Sequence, residues 1–340
     1  MEAPRKTKNF TVSCTSVLVR RLITEKHEVV VLQRKSADTR EIDDLKLSFH
    51  LGDVTDPESL KGAMDGCDVV YHMAGFVAQW SGYKEALYKV NTLGVRYVLE
   101  AALAQGVKRV VVASSTAAIG GTKHPEILDE KFLFNLGHLP YAHSKWLGEK
   151  EAIAVAKKGI EVVIVNPATT FGPGDKHLNA GRTILNARDG KIFGFPPGGN
   201  SFVDVGDVVD GIIAAMEKGR NLERYILTNE ILSYKTLLEI ISKIQGQLPP
   251  KLRLPKFFLV MGGWGKEMIS RCLFSGEPYP SREAVDMSIR FMYCSSNKAK
   301  RELGYNPKVP MEDSIQMASD WYIKKDFQQS SLSRIQKSIN

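Results

Sequence analysis

The sequence predicts an α/β fold: a doubly wound parallel sheet with a smaller, mostly C-terminal region beside it. Three observations predict it. Short Val/Ile-rich runs alternate with helix-periodic stretches through the first half of the chain, as strands buried on both faces require. Arg34, Asp53, His72, Ser114, Ser115 and Asn166 all fall where those runs end, and open parallel sheets bind ligands beyond the carboxyl ends of their strands. Tyr141 and Lys145 are four apart behind Pro140, a residue favoured just inside a helix start because its missing N–H would be unpaired there.

Taken in order, residues 10–13 make at best the stub of a first strand. Residues 16–23 read as a helix, 28–32 as a buried strand and 47–51 as another, ending in Gly52-Asp53-Val54-Thr55-Asp56-Pro57. A short helix at 58–64 and a strand at 68–72 precede a long periodic helix, 84–105, stopped at Gly106. The apolar strand 107–113 runs into Ser114-Ser115-Thr116, the helix carrying Tyr141 closes at Gly159, and 160–166 is a further strand. After Pro167 the texture changes. Thr169-Thr170-Phe171-Gly172-Pro173-Gly174-Asp175 and Pro196-Pro197-Gly198-Gly199-Asn200 read as tight loops. A strand at 201–205 feeds a helix at 208–218, followed by a strand at 225–228 and an amphipathic helix at 233–245. Residues 254–274 are the most apolar part of the second half, Ser296 caps a helix ended by Gly304, and Pro310 opens the last one. From residue 326 the tail is polar and expected to fray.

Composition narrows the function classes. Of 340 residues, 43% are hydrophobic and 25% charged, ordinary for a globular chain with a real core. The formal charge of +8 invites a nucleic-acid or anionic-membrane reading. Lys and Arg are scattered among acids, as in Glu149-Lys150-Glu151, which argues against nucleic acid; an anionic cofactor accounts for part of the excess. Cys14, Cys67, Cys272 and Cys294 show no paired short spacing, against a zinc site or a disulfide framework, and no metal is expected. No apolar run reaches the ~20 residues a membrane span needs. The first twenty residues are basic, faintly like an organelle transit peptide, but lack a signal-peptide apolar core, so a cytoplasmic location is expected.

The Tyr141/Lys145 pair has a chemical use. A free phenol titrates near pH ~10, and a neighbouring ammonium favours its phenolate. A second hydroxyl can then hold a substrate oxygen while the tyrosine takes or gives its proton. The spacing alone also fits an exposed tyrosine resting on a lysine stem.

Six motifs in order resemble the extended short-chain dehydrogenase/reductase family, also called the NAD-dependent epimerase/dehydratase fold. They are Gly52-Asp53-Val54-Thr55-Asp56-Pro57, His72-Met73-Ala74-Gly75, Asn91 within Val90-Asn91-Thr92-Leu93-Gly94-Val95, Ser114-Ser115, Tyr141 with Lys145, and Asn166-Pro167-Ala168-Thr169-Thr170-Phe171-Gly172-Pro173-Gly174-Asp175. Within the family the chain resembles the dihydroflavonol-reductase-like branch. Ala215-Met216-Glu217-Lys218-Gly219-Arg220, Glu223-Arg224-Tyr225-Ile226-Leu227-Thr228 and Ala299-Lys300-Arg301-Glu302-Leu303-Gly304-Tyr305-Asn306-Pro307 are similar to plant NAD-dependent farnesol dehydrogenases.

The resemblance implies a Rossmann-like dinucleotide-binding domain over residues 1–170, with 201–218 returning to it, and a substrate-binding region from 171–200 and 219–325. It implies Tyr141 as acid/base, Lys145 lowering its pKa and holding the nicotinamide ribose, and Ser115 holding the reacting oxygen. Ser114 is the alternative oxygen holder and a cofactor neighbour. Asp53 and Val54 would flank the adenine, Ala74 and Gly75 approach the pyrophosphate, and Pro167, Ala168, Thr169 and Thr170 line the nicotinamide side. Asn91 and His72 read as structural. The partner implied is a small apolar molecule, a prenyl alcohol or a flavonoid. A homodimer built on the helices at 84–105 and 141–158 is what relatives would form.

One piece of the family pattern is missing. The turn after the first strand should be glycine-rich, so that backbone can reach the pyrophosphate at the helix N-terminus. Here it is Ser13-Cys14-Thr15, and no glycine precedes Gly52. Either an alternative first segment is joined to an ordinary enzyme, or the chain binds its cofactor weakly or not at all. The nicotinamide is also open: Gln33-Arg34-Lys35 after the second strand suits the 2′-phosphate of NADP, whereas the farnesol-dehydrogenase likeness suits NAD. Two rival readings stand beside the oxidoreductase. One is a sugar-nucleotide epimerase or dehydratase, with Arg182, Arg253 and Arg271 as diphosphate ligands; the other is a non-catalytic sensor.

Overall fold

A computed structural model describes residues 8–12, 16–273 and 280–324; Ser13, Cys14, Thr15, Phe274 and the tail from 326 lie outside the described residues. In chain order the first half gives β1 (Lys8–Val12), α1 (Ser16–Thr24), β2 (Glu28–Gln33), β3 (Ser48–Leu51), β4 (Val69–His72), α2 (Lys84–Tyr88) and α3 (Gly94–Ala104). There follow β5 (Arg109–Ala113), β6 (Ile127–Leu128), α4 (Pro140–Ala156), β7 (Glu161–Pro167) and β8 (Thr169–Phe171). The second half gives α5 (Gly181–Arg188), β9 (Gly194–Phe195), β10 (Gly199–Asp204), α6 (Val205–Lys218), β11 (Arg224–Leu227), β12 (Glu230–Ser233) and α7 (Tyr234–Ile244). It closes with β13 (Leu252–Arg253), α8 (Lys256–Leu273), α9 (Arg282–Ser288), β14 (Phe291–Cys294), α10 (Asn297–Leu303) and α11 (Met311–Lys324).

The main sheet has seven strands in the order β11-β7-β5-β4-β1-β2-β3, and every neighbouring pair is parallel. The order reverses between β1 and β4, which opens a crevice at the strands' carboxyl ends. The first strand is more than a stub. β1 pairs with β2 from Lys8↔Glu28 to Val12↔Leu32 and with β4 from Asn9↔Val69 to Val12↔His72, so it holds the sheet's centre.

Strand alternation sorts the core into two layers. Val30, Leu32, Val70, Val110, Val112, Val162 and Ile164 pack with Val98, Leu99, Ala152 and Val155 from α3 and α4. The intervening Val29, Val31, Tyr71, Val111, Val163 and Val165 pack with Leu18, Leu22, Val208 and Ile212 from α1 and α6 on the other face. A smaller sheet, β12-β10-β14-β6 with β8 beside β10, covers the C-terminal region. There Phe171, Phe202, Leu237, Ile241, Ile315 and Tyr322 form a separate core.

Several expectations are corrected. The helix at 58–64 is a single 3₁₀ turn, Pro57–Leu60, because Gly62 turns the chain at φ 72°. The long helix at 84–105 is two α-helices joined by a π-helical turn, Lys89–Leu93. Residues 169–171 are a strand, not a loop, because β10 supplies a partner ladder. β11, assigned from the sequence to the substrate-binding region, pairs with β7 at the edge of the main sheet, and 201–204 join the smaller sheet while α6 alone returns to the larger one. No expectation covered α5, α9 and β14, which are short, partly buried pieces.

Candidate active site

Tyr141 sits in the first turn of α4, opened by Pro140. The buried residues of α4 recur as Ala142, Lys145, Glu149, Ala152 and Ala156, one stripe of a 3.6-residue period. Two charged groups therefore lie on a face that otherwise packs against α3 and the sheet. Small size lets the helix come close: a Cβ on Gly148 would stand 2.2 Å from the Asn91 carbonyl oxygen.

Ser115 follows β5 as the cap of a short 3₁₀ turn, its hydroxyl accepting from the Ala117 N–H at 3.1 Å. It also neighbours the phenol of Tyr141. Burial raises the Tyr141 pKa above its ordinary value, and the nearby Ser115 hydroxyl opposes that rise. Lys145 lies one helical turn further along α4. Its Nζ donates to the Ala113 carbonyl at 3.1 Å. Burial pulls the Lys145 ammonium down to about 8, with Glu149, four residues on, acting in the opposite direction. Burial thus favours the protonated phenol of Tyr141.

The segment beneath is braced from both sides. Asn91 lies in the π turn, accepts from the Phe76 N–H at 2.8 Å and donates to the Phe76 carbonyl at 2.9 Å. That double bond fixes the stretch running on from Ala74 and Gly75. A Cβ on Gly75 would stand 2.7 Å from Lys145 Nζ. On the far side, Asn166 Nδ2 donates to the Ser115 carbonyl at 2.9 Å and to Glu149 Oε1 at 2.6 Å. Glu149 in turn pairs with Arg224 at 3.2 Å, and Arg224 donates through Nε to the Glu130 carbonyl at 3.0 Å. Neither Glu149 nor Arg224 stood out in the sequence. The available signal was a glutamate on the apolar stripe of α4, four residues past the lysine.

A cleft of about 820 Å³ opens at this edge. It gathers Ser114, Ser115, Tyr141, Pro167, Ala168, Thr169 and Thr170 from the expected set, and reaches Ser16 and Val17 at the start of α1. Lys145 lies buried behind its wall. The other expected residues stand apart from this cleft. Val54 is buried against Gly94 of α3, and Ala74 belongs to the same core layer. Asp53 Oδ1 accepts from both the Thr55 N–H and hydroxyl at 2.8 Å, so it stabilises its own turn. Arg34 is exposed just past β2. Sequence reasoning missed most of the cleft's apolar wall, including Val77, Leu178, Ile192, Leu238, Met287 and Met292, because it comes from segments with no shared local pattern. Phe257, Phe258 and Trp264, in the most apolar part of the second half, are exposed and lie outside the cleft lining.

The match to known proteins is decisive at the family level. Residues 14–228 match the NAD dependent epimerase/dehydratase family. The chain belongs to that family. A putative dihydroflavonol 4-reductase from Synechocystis is 32% identical over 312 residues, covering 90% of this chain and 90% of the relative. Sterol demethylase protein B from Methylococcus capsulatus is 32% identical over 298 residues, covering 85% of this chain and 89% of that protein. The crystal structure of gox2253 superimposes with a TM-score of 0.81 at 30% identity, covering 94% of this chain and 99% of that one. The dTDP-glucose 4,6-dehydratase DesIV from Streptomyces venezuelae, solved with NAD bound, matches at a TM-score of 0.76 and 20% identity, over 96% of this chain and 99% of that one, and shows the shared fold.

For this family member the cofactor is a nicotinamide dinucleotide, and the residues present fit one. The cleft runs from the Ser115/Tyr141 pair to the first turn of the nine-residue helix α1, whose N–H groups suit a phosphate. Gly75 leaves free the space beside the Lys145 ammonium that a side chain would fill. The Ser13-Cys14-Thr15 turn, where the family pattern calls for glycine, lies outside the described residues.

Proposed function

We propose that this NAD(P)-dependent oxidoreductase interconverts an alcohol and a carbonyl on a largely apolar small molecule. The observation that carries the reading is the neighbouring Ser115 and Tyr141 hydroxyls on the wall of a cleft lined by Val77, Leu178, Phe202, Leu238, Met287 and Met292. Lys145 and Tyr141 hold the nicotinamide ribose, Ala74 and Gly75 approach the pyrophosphate, and Asp53 and Val54 flank the adenine. Pro167, Ala168, Thr169 and Thr170 support the nicotinamide side, and Arg34 is placed to meet a 2′-phosphate.

A bound nicotinamide supplies or accepts the hydride. In the reducing direction Ser115 holds the substrate oxygen, the Tyr141 O–H bond breaks and its proton passes to that oxygen. In the oxidising direction the phenol oxygen takes the proton back.

A sugar-nucleotide reading needs cations free to hold a diphosphate. Of the cations named for that reading, Arg182 lines the cleft, whereas Arg253 is exposed on β13 outside it; the cleft's apolar wall favours the first reading. Purified protein should turn over prenyl, flavonoid or sterol-like carbonyls with NADH or NADPH. Tyr141→Phe should lower kcat by about 10²–10⁴-fold while cofactor affinity stays within a few-fold. Turnover of sugar nucleotides alone, or undiminished turnover by the variant, would overturn the reading.

A further inference from the structure

We propose that the outward face of α8, with the segment leading into it, docks on an anionic lipid surface. Phe257, Phe258, Met261 and Trp264 are 68%, 66%, 58% and 56% exposed. Their spacing sets Phe257, Met261 and Trp264 along one side of the helix, with Phe258 beside them. Leu252 in β13, 57% exposed, extends the patch ahead of the helix. Isolated apolar side chains on a protein surface need no explanation; a run of aromatics on one helix face does.

Charge identifies the occupant. Lys251, Arg253 and Lys256 are exposed within the same segment, and no aspartate or glutamate occurs from residue 248 to 265. The Arg282 guanidinium lies 4.1 Å over the Trp264 ring, placing another cation beside the patch. Aromatic and aliphatic side chains bordered by cations suit a helix lying in the headgroup layer of a membrane. An anionic leaflet attracts that border, whereas a second copy of the chain would set like charges against each other. No helix among the described residues is long and apolar enough to cross a membrane, so the contact proposed is with its surface.

The other side of the segment gives the contact a use. Leu254 and Leu259 line the cleft. Docking would bring that wall to the lipid, so an apolar substrate could enter from the bilayer without crossing water. This last step rests on the apolar-substrate reading; the docking itself does not.

The full chain should sediment with phosphatidylcholine vesicles containing about 30% phosphatidylserine and stay in solution with phosphatidylcholine alone. Salt near ~1 M should release it. Phe258→Ser with Trp264→Ser should weaken vesicle binding about 10-fold or more, and neutralising Lys251, Arg253 and Lys256 with glutamine should do likewise. Both variants should keep the wild-type circular dichroism and NADH affinity, because none of these side chains lines the cleft. Equal sedimentation with both vesicle types, or unchanged binding by the variants, overturns the proposal. So does a wild-type dimer in light scattering that the aromatic variant converts to monomer, since a second copy would then cover the face. Vesicle binding without turnover of any apolar carbonyl leaves the docking standing and removes the substrate reading.

Discussion

His72 is fully buried at the end of β4, and neither ring nitrogen has a hydrogen-bond partner among the described residues. Burial, with the nearby Lys145 charge adding to it, pulls its pKa down to about 3. The unfolded chain binds a proton there near pH ~6.5 while the folded chain does not, so stability falls as pH drops below that value. By pH 5 the loss should be about 2 kcal/mol, from ~1.4 kcal/mol per pH unit. His72→Leu should flatten the dependence of urea midpoint on pH between ~7 and ~5, whereas an equally steep slope would place the acid sensitivity elsewhere. Glu149 favours the charge on the buried Lys145, while burial raises its own pKa against the pull of Arg224. Glu149→Gln retains an oxygen for Asn166 but removes that charge. The alkaline limb of the rate profile, expected near pH 8 from Lys145, should therefore move to lower pH. A limb that stays in place would show that Glu149 acts only as a structural brace.

At the scale of elements, the site depends on how closely α4 approaches the π turn at Lys89–Leu93. The inserted π turn carries Asn91 to the double hydrogen bond with Phe76, a local distortion of the kind π-bulges introduce at functional sites. Gly148 permits the contact. Gly148→Ala would force backbone against a methyl group, and overpacking of this type costs about 1–3 kcal/mol. The substitution should lower the urea midpoint and also loosen cofactor binding, because α4 carries both Tyr141 and Lys145. Loss of stability with unaltered cofactor affinity would mean that the site tolerates a shifted α4.

For the whole molecule, the cofactor should act as part of the fold. It would bridge α1, β4, β5 and α4 around the switch in strand order, so binding is linked to global stability. At ~100 times its Kd, NADH or NADPH should stabilise the protein by about 2.7 kcal/mol, read as a rise in melting temperature. A larger rise with the phosphorylated cofactor, lost in Arg34→Ala, would assign NADP; no rise with either would mean that the Ser13-Cys14-Thr15 turn fails to take the pyrophosphate.

Much of the strand and helix order of the first half was legible because burial on both faces writes a continuous apolar run into β2, β5 and β7, whereas β1, at the sheet's centre, carries none. The placement of Tyr141 and Lys145 on one helix face and of Ser115 past a strand's end was legible as well, since helix spacing and a strand's end fix local geometry, while their roles follow from the family resemblance. Asp53 and Val54 are harder to read, because turn formation and core packing use the same residue types as the adenine contact proposed for them. Sequence periodicity alone thus determined the doubly wound sheet and the Tyr/Lys face of α4. Only tertiary structure decided that Lys8–Val12 completes the sheet's centre, that Glu149, Asn166 and Arg224 stand behind the site, and that Phe257, Phe258 and Trp264 point away from the cleft. The reason is physical: periodicity records which face of an element avoids water, whereas the identity of its neighbour depends on contacts between segments far apart in the chain.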